Sequence, residues 1–220
     1  MYQILDLLSA QEVAELRKIG ASATFVDGRI TNPHNKTKIN EQLHEPQANQ
    51  RSSSLLLQAF TRSEEFLDFA FPVQIAPPLM TRYHPGMRYG AHSDAAFIQL
   101  QGGPLRSDLS CTIFLNEPSE YDGGELHIQL GDAELFFKLK PGQTIVYPSD
   151  TLHEVRPVTR GERLVAITFI QSRIRDPFRR NLLFNLNEVA ALEGLNMKQE
   201  NFMRLQLVQA QLLRYWGEKA

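Results

Sequence analysis

The chain has 220 residues, 42% of them hydrophobic, which suffices for one buried core with an appendage and excludes a disordered polymer. A formal net charge of −2 gives no global electrostatic basis for binding nucleic acid or an anionic membrane surface. The one cysteine, Cys111, excludes an internal disulfide and, within the apolar run LSCTIFL, reads as a buried thiol, so a cytoplasmic setting is the default.

The first residues, MYQILDLLSAQEVAEL, have neither the basic n-region nor the unbroken apolar h-region of a signal peptide, and no later stretch is long and apolar enough for a membrane span. A soluble, unprocessed chain is expected. Ser9 followed by Glu12 makes a capping box, and Val13, Leu16 and Ile19 or Gly20 continue with helical spacing. From Thr31 to Asn49 the chain is polar and turn-rich, which predicts a long irregular excursion holding His34 and His44. SSSLLLQAFTRS and EEFLDFAFP then read as helices, the second stopped by Pro72.

From Leu79 short β-branched and aromatic runs alternate with Gly, Pro, Asn and Asp: LMTRY, YGAHSD, LSCTIFLN, GELHIQL, AELFFKLK, QTIVYP, HEVRPV and RLVAITFIQ. These strands are enough for two facing sheets of a jelly roll. In GELHIQL, Leu126, Ile128 and Leu130 face one way, which leaves His127 on a polar, exposed face. Past Gln171 the basic bend SRIRDPFRR, its arginines flanking a helix start, leads into two helical patterns. Asn196 with Gln199 resembles a second capping box, and Leu205, Val208, Leu212 and Trp216 form an apolar stripe. That stripe is expected to pack on the parent domain, with a homo-oligomer seam through the tail helices as the alternative. The expected fold class is α+β: a double-stranded β-helix (jelly-roll) core with N-terminal helices and a C-terminal helical tail. Residues 1–77 would support the core, 78–173 form it, and 174–220 make a helical subdomain.

The densest polar chemistry lies in RYHPGMRYGAHSDAAF, residues 82–97. His92 and Asp94 are two residues apart, so in an extended chain they share a face that a metal ion could use. A third ligand must come from elsewhere, and His153 is the best candidate, since a sandwich can bring a late strand beside an early one. Two neutral imidazoles and one carboxylate would form the facial triad of non-haem Fe(II) oxygenases, with open positions for a 2-oxo acid and dioxygen. Arg163, ten residues after His153, offers a planar, permanently charged fork for the far carboxylate of a dicarboxylic co-substrate. The phenol of Tyr83 could add a hydrogen bond to the same carboxylate. Tyr89 and Arg88 are candidates for substrate contact, His84 beside Pro85 shapes the loop, and Gly123–Gly124 taken alone reads as a hairpin turn.

Taken together, RYHPGMRYGAHSD, IFLNEPSEYDGGELHI and TLHEVRPVTRGERLVAITF resemble the Fe(II)/2-oxoglutarate-dependent dioxygenases, and among them the PKHD-type (prolyl/lysyl-hydroxylase-like) hydroxylases of the bacterial PiuC-like group. The motif matches run from about residue 78 to 173, and the resemblance extends over nearly the whole chain. It implies that His92, Asp94 and His153 are the iron ligands, that Arg163 anchors 2-oxoglutarate with Tyr83 assisting, and that ascorbate keeps the iron reduced. The implied reaction couples decarboxylation of 2-oxoglutarate to succinate and carbon dioxide with hydroxylation of a small-molecule or peptide substrate. A link to iron acquisition is suggested by the resemblance alone. The chain departs from part of the superfamily at Val165, where some members place a serine two residues after the arginine. Two rival readings keep the same residues: a zinc hydrolase with water as fourth ligand, which would not require Arg163 at that offset, and a non-catalytic cupin-like binding module.

Overall fold

The computed structural model describes residues 1–33 and 35–218; the expectation for His34 lies outside them. Strand β1 (Gln3–Asp6) precedes helix α1 (Ala10–Ser22), whose capping box forms as its residues predict. Glu12 N donates to Ser9 Oγ at 3.3 Å and Ser9 N donates to Glu12 Oε2 at 2.8 Å. The helix buries Val13, Leu16, Ile19 and Gly20. A Cβ on Gly20 would stand 2.8 Å from Leu164 Cδ2, so glycine lets the helix approach the sheet closely.

Beyond β2 (Phe25–Asp27) the expected irregular excursion is in part regular structure. It contains β3 (Lys38–Ile39), β4 (Glu41–Leu43) and the first turn of α2 (Pro46–Arg62), which starts on a proline, where a missing N–H costs nothing. Hydrophobic periodicity missed these strands because their alternation is inverted. Lys38, Asn40 and Gln42 are the buried positions, while Ile39 is 40% exposed. Helix α3 (Glu64–Ala70) ends at Phe71, which adopts φ 45°, and Pro72 opens a strand, β5 (Pro72–Ile75).

The remaining strands are β6 (Leu79–Tyr83), β7 (Arg88–His92), β8 (Phe97–Leu100), β9 (Gly103–Arg106), β10 (Leu109–Phe114), β11 (Asp122–Gly123) and β12 (Leu126–Leu130). They continue with β13 (Ala133–Phe137), β14 (Gln143–Pro148), β15 (Leu152–Val155), β16 (Val158–Arg160) and β17 (Arg163–Ser172). A larger sheet runs β1-β14-β10-β17-β6-β4-β2, with β5 also on β17, and faces a smaller one ordered β13-β12-β15-β7-β3. Every ladder is antiparallel. This is the jelly roll expected from the strand texture, extended by strands that precede residue 78.

The two faces of the larger sheet carry different cores. Leu109, Cys111, Ile113, Val146, Leu164, Ala166 and Ile170 pack against helix residues such as Leu16, Leu56, Phe60 and Phe66. The alternate positions Phe114, Ile145, Tyr147 and Val165 meet Leu126, Ile128 and Phe137 of the smaller sheet. Parity along β17 therefore sends Arg163, in step with Val165, into the space between the sheets. Cys111 is buried as expected, its Sγ 2.8 Å from Thr144 Oγ1, and burial pushes its thiol up to about 12.

The tail forms α4 (Pro177–Glu193) and α5 (Gln199–Trp216). Asp176 caps α4, its side chain accepting from Arg179 N at 2.8 Å, in agreement with a helix start at the basic bend. The second capping box does not form. Asn196 lies in a 3-10 turn, Lys198 precedes α5, and no side chain caps it. Of the apolar stripe, Leu205, Leu212 and Trp216 are half-buried and Val208 is 43% exposed. Its place on the inner face is taken by Gln209, whose amide donates to Leu186 O and Asn187 Oδ1. Among the described residues no helix is long and apolar enough to cross a membrane.

Candidate active site

The two histidines come together because β15 pairs with β7 in a register that sets His153 directly opposite His92. His92 Nδ1 lies 2.8 Å from Gly90 O and His153 Nδ1 lies 3.0 Å from Thr151 O. A carbonyl only accepts, so each Nδ1 carries a proton, which in the neutral ring leaves the lone pair on Nε2. Those lone pairs converge on Asp94, with His92 Nε2 at 3.9 Å from Oδ1 and His153 Nε2 at 3.7 Å from Oδ2. One ligand atom from each of the three lies within 4.8 Å of the others, a donor set suited to a divalent metal. Burial, reinforced by the neighbouring His153, pushes His92 down to about 4, so its imidazole is neutral at pH 7 and its Nε2 lone pair is available to a metal.

Asp94 is held from behind by residues that its sequence neighbourhood does not contain. Ser110 Oγ stands 2.5 Å from Asp94 Oδ2 and 2.7 Å from Ser149 Oγ, and Asp94 N donates to Ser149 O at 3.3 Å. A carboxylate fixed by a hydroxyl presents its other oxygen in one direction, as metal ligands require. The signal for Ser110 was parity: in LSCTIFL it shares the interior face with Thr112 and Phe114.

On the facing sheet a second cross-strand pair, Arg163 opposite Tyr83, closes the other end of the same cavity. Arg163 is 1% exposed, and its Nε and Nη2 find no hydrogen-bond partner among the described residues. No carboxylate pairs with it there either; its guanidinium lies instead 5.1 Å from the Tyr83 ring centroid and 5.6 Å from that of Phe114. Tyr83 OH accepts from Asn40 Nδ2 at 2.9 Å, and burial raises its pKa. Val165 is fully buried among apolar side chains.

Gly123 and Gly124 are not the tip of a hairpin. They form a close backbone crossing, since a Cβ on Gly123 would sit 2.1 Å from Pro157 O and one on Gly124 would sit 3.0 Å from Arg163 Cδ. Both have positive φ, at 69° and 67°, so glycine is required on both counts. Lys38 and Asn40 also line the cavity, a contribution of the polar segment that sequence reasoning did not foresee. Tyr89 lines it too, its ring stacked 3.6 Å from that of His92, whereas Arg88 is exposed. His127 differs from expectation: its side chain is 16% exposed, stacks on Phe136 at 4.5 Å and lies 3.3 Å from Glu154 Oε1, because both are its cross-strand partners. His84 does not line the cavity and lies 3.8 Å from Glu41 and 3.7 Å from Glu162, and His44 is exposed.

A jelly roll holding two imidazoles, one carboxylate and an unpaired interior guanidinium has the parts of a non-haem iron, 2-oxo-acid-dependent oxygenase. Residues 78–171 match the family model of the 2OG-Fe(II) oxygenase superfamily. A PKHD-type hydroxylase of Sphingopyxis alaskensis is 60% identical over 98% of this chain and 99% of its own length. One from Nitrobacter winogradskyi is 42% identical over 99% of this chain and 100% of its own. Among solved structures, a Pseudomonas putida prolyl-4-hydroxylase shares the fold at TM-score 0.56 and 22% identity, covering 78% of this chain and 92% of that one. The chain belongs to the PKHD-type hydroxylases of the 2OG-Fe(II) oxygenase superfamily. It is a dioxygenase that uses Fe(II) and 2-oxoglutarate.

Proposed function

We propose that His92, Asp94 and His153 hold the Fe(II), and that Arg163 with Tyr83 holds the distal carboxylate of 2-oxoglutarate. The observation that carries this reading is the Arg163 guanidinium, 1% exposed with Nε and Nη2 unpartnered among the described residues. A buried charge is costly without a counterion, and a carboxylate entering the cavity supplies one in a geometry that matches the fork. A zinc hydrolase has no use for that cation. Tyr83 OH, already accepting from Asn40, keeps its own hydrogen for the same carboxylate.

Bound Fe(II) supplies the oxygen chemistry, in which 2-oxoglutarate becomes succinate and carbon dioxide and a substrate C–H becomes C–OH. The chain's own residues do the positioning. The carbonyls of Gly90 and Thr151 fix the two ring orientations, the Ser110–Ser149 pair aims Asp94, and the Gly123–Gly124 crossing sets the height of Arg163. Residues 78–173 thus carry the iron and co-substrate groups, and 1–77 support them while contributing Lys38 and Asn40 to the cavity wall. Apolar side chains left exposed on the tail helices, such as Leu192, Met203 and Leu207, support a homo-oligomer formed through that tail, and light scattering on Leu207→Glu tests it.

Anaerobic titration of the metal-free protein with Fe(II) and 2-oxoglutarate tests the site. A visible charge-transfer band is expected in the wild type, lost in Asp94→Ala and weakened in Arg163→Ala. Its absence from folded, iron-loaded wild type would refute the assignment.

A further inference from the structure

The roles assigned above leave one buried cation in the cavity without a task. Lys38 is 5% exposed, and among the described residues its Nζ makes one hydrogen bond, to the neutral Thr31 Oγ1 at 2.8 Å. Thr31 Oγ1 lies in turn 3.1 Å from Gln42 Oε1 and 3.2 Å from Gly28 O, so the ammonium is held in place rather than free to swing out. Lys38 is the cross-strand partner of Tyr89, and its Nζ stands 5.5 Å from the centroid of that ring, which stacks on His92. It therefore stands beside the ring that covers His92, while Asn40, two residues further along the same face, reaches Tyr83 OH.

No carboxylate pairs with Lys38 among the described residues. Asp27 is bound by Arg29, and Asp94 faces the two histidines. Burial lowers the ammonium to about 8, which leaves it protonated at pH 7. Two N–H groups of a charged, buried side chain then have no protein acceptor among the described residues, and that cost is relieved when an anion enters.

We propose that Lys38 receives an anionic oxygen group, a carboxylate or similar singly charged oxyanion, on the substrate and so sets which C–H bond lies beside the metal. The inference rests on the iron and 2-oxoglutarate assignment above. The same chemistry could come from the co-substrate's own metal-side carboxylate, and the experiment separates the two sources.

The wild-type protein is loaded anaerobically with Fe(II) and saturating 2-oxoglutarate and titrated with benzoate or, separately, its neutral analogue benzamide, while the visible band is followed. The titrations are repeated with Lys38→Met and Lys38→Arg. Benzoate should perturb the wild-type band saturably and benzamide should bind about tenfold more weakly or worse, the scale of one lost charged hydrogen bond. Lys38→Met should weaken benzoate by a similar factor, and by more than it weakens 2-oxoglutarate, while Lys38→Arg retains the response. Equal behaviour of benzoate and benzamide, no response to either, or benzoate binding indifferent to Lys38→Met would overturn the proposal. An equal loss of 2-oxoglutarate affinity in Lys38→Met would assign the ammonium to the co-substrate and overturn it as well. Failure of the wild-type band to form would instead strike the iron and co-substrate assignment.

Discussion

Replacing Arg163 by methionine should stabilise the ligand-free protein while removing most of its stabilisation by 2-oxoglutarate. The guanidinium has two buried nitrogens, Nε and Nη2, without partners among the described residues. Each unsatisfied donor costs ~1–3 kcal/mol. The favourable contacts that oppose this are the rings of Tyr83 at 5.1 Å and Phe114 at 5.6 Å, worth ~0.5–2 kcal/mol each. Methionine keeps part of the packing and carries no charge, so the net gain is about 1–2 kcal/mol, at the lower end of what replacing buried ionic groups by apolar ones yields. Urea unfolding of the metal-free proteins measures it. In the iron-loaded state under anaerobic conditions, 2-oxoglutarate at about a hundred times its Kd should stabilise the wild type by ~2.7 kcal/mol and leave the variant nearly unmoved. If Arg163→Met instead destabilises the ligand-free protein by about 2 kcal/mol or more, a scale that marks a broken buried network, the guanidinium is neutralised within the fold and the argument for a carboxylate ligand there fails.

Ser110→Ala removes the hydroxyl 2.5 Å from Asp94 Oδ2 and should weaken Fe(II) binding by about 10–100-fold with the fold intact, as read by metal titration and circular dichroism. Gly124→Ala adds a Cβ 2.9 Å from Val158 Cγ2 and 3.0 Å from Arg163 Cδ at φ 67°, so it should cost ~1 kcal/mol or more and displace Arg163. A 2-oxoglutarate titration that matches wild type would show that the glycine floor does not position the arginine. In the metal-free protein His92 titrates at about 4 against an ordinary value of 6.5, so between these the unfolded chain binds the additional proton. The stability this group contributes is complete above about 6.5 and is lost as the pH falls towards 4. Denaturation midpoints from neutral to mildly acidic pH should fall less steeply in His92→Asn than in wild type, and parallel slopes would contradict the shift.

Signals that depend on a few neighbouring residues were legible in the amino-acid order. The Ser9–Glu12 capping box needs only the first turn of a helix, and the strand runs after Leu79 needed only their own alternation and turn residues. The order of His-x-Asp, Gly-Gly-Glu-Leu, His and Arg pointed to the chemistry, because those residue types have few other joint uses. Where the polarity rule inverts, the same reading failed. Lys38, Asn40 and Gln42 face inward on short strands whose exposed positions include Ile39, so a hydrophobic pattern could not find them. The cap predicted at Asn196 failed because α5 starts three residues later, and His127 was misplaced because its cover comes from Phe136 and Glu154 on adjacent strands.

Local order therefore determined the jelly-roll class, the donor types and the cation that accompanies them. Tertiary structure decided the rest: that His153 is opposite His92 and Tyr83 opposite Arg163, that Ser110 stands behind Asp94, and that Lys38 and Asn40 complete the cavity. The physical reason is register. Alternation along one strand says which residues share a face, but a shift of one residue in the pairing turns every side chain to the other side, and the pairing is set by packing between segments far apart in the chain.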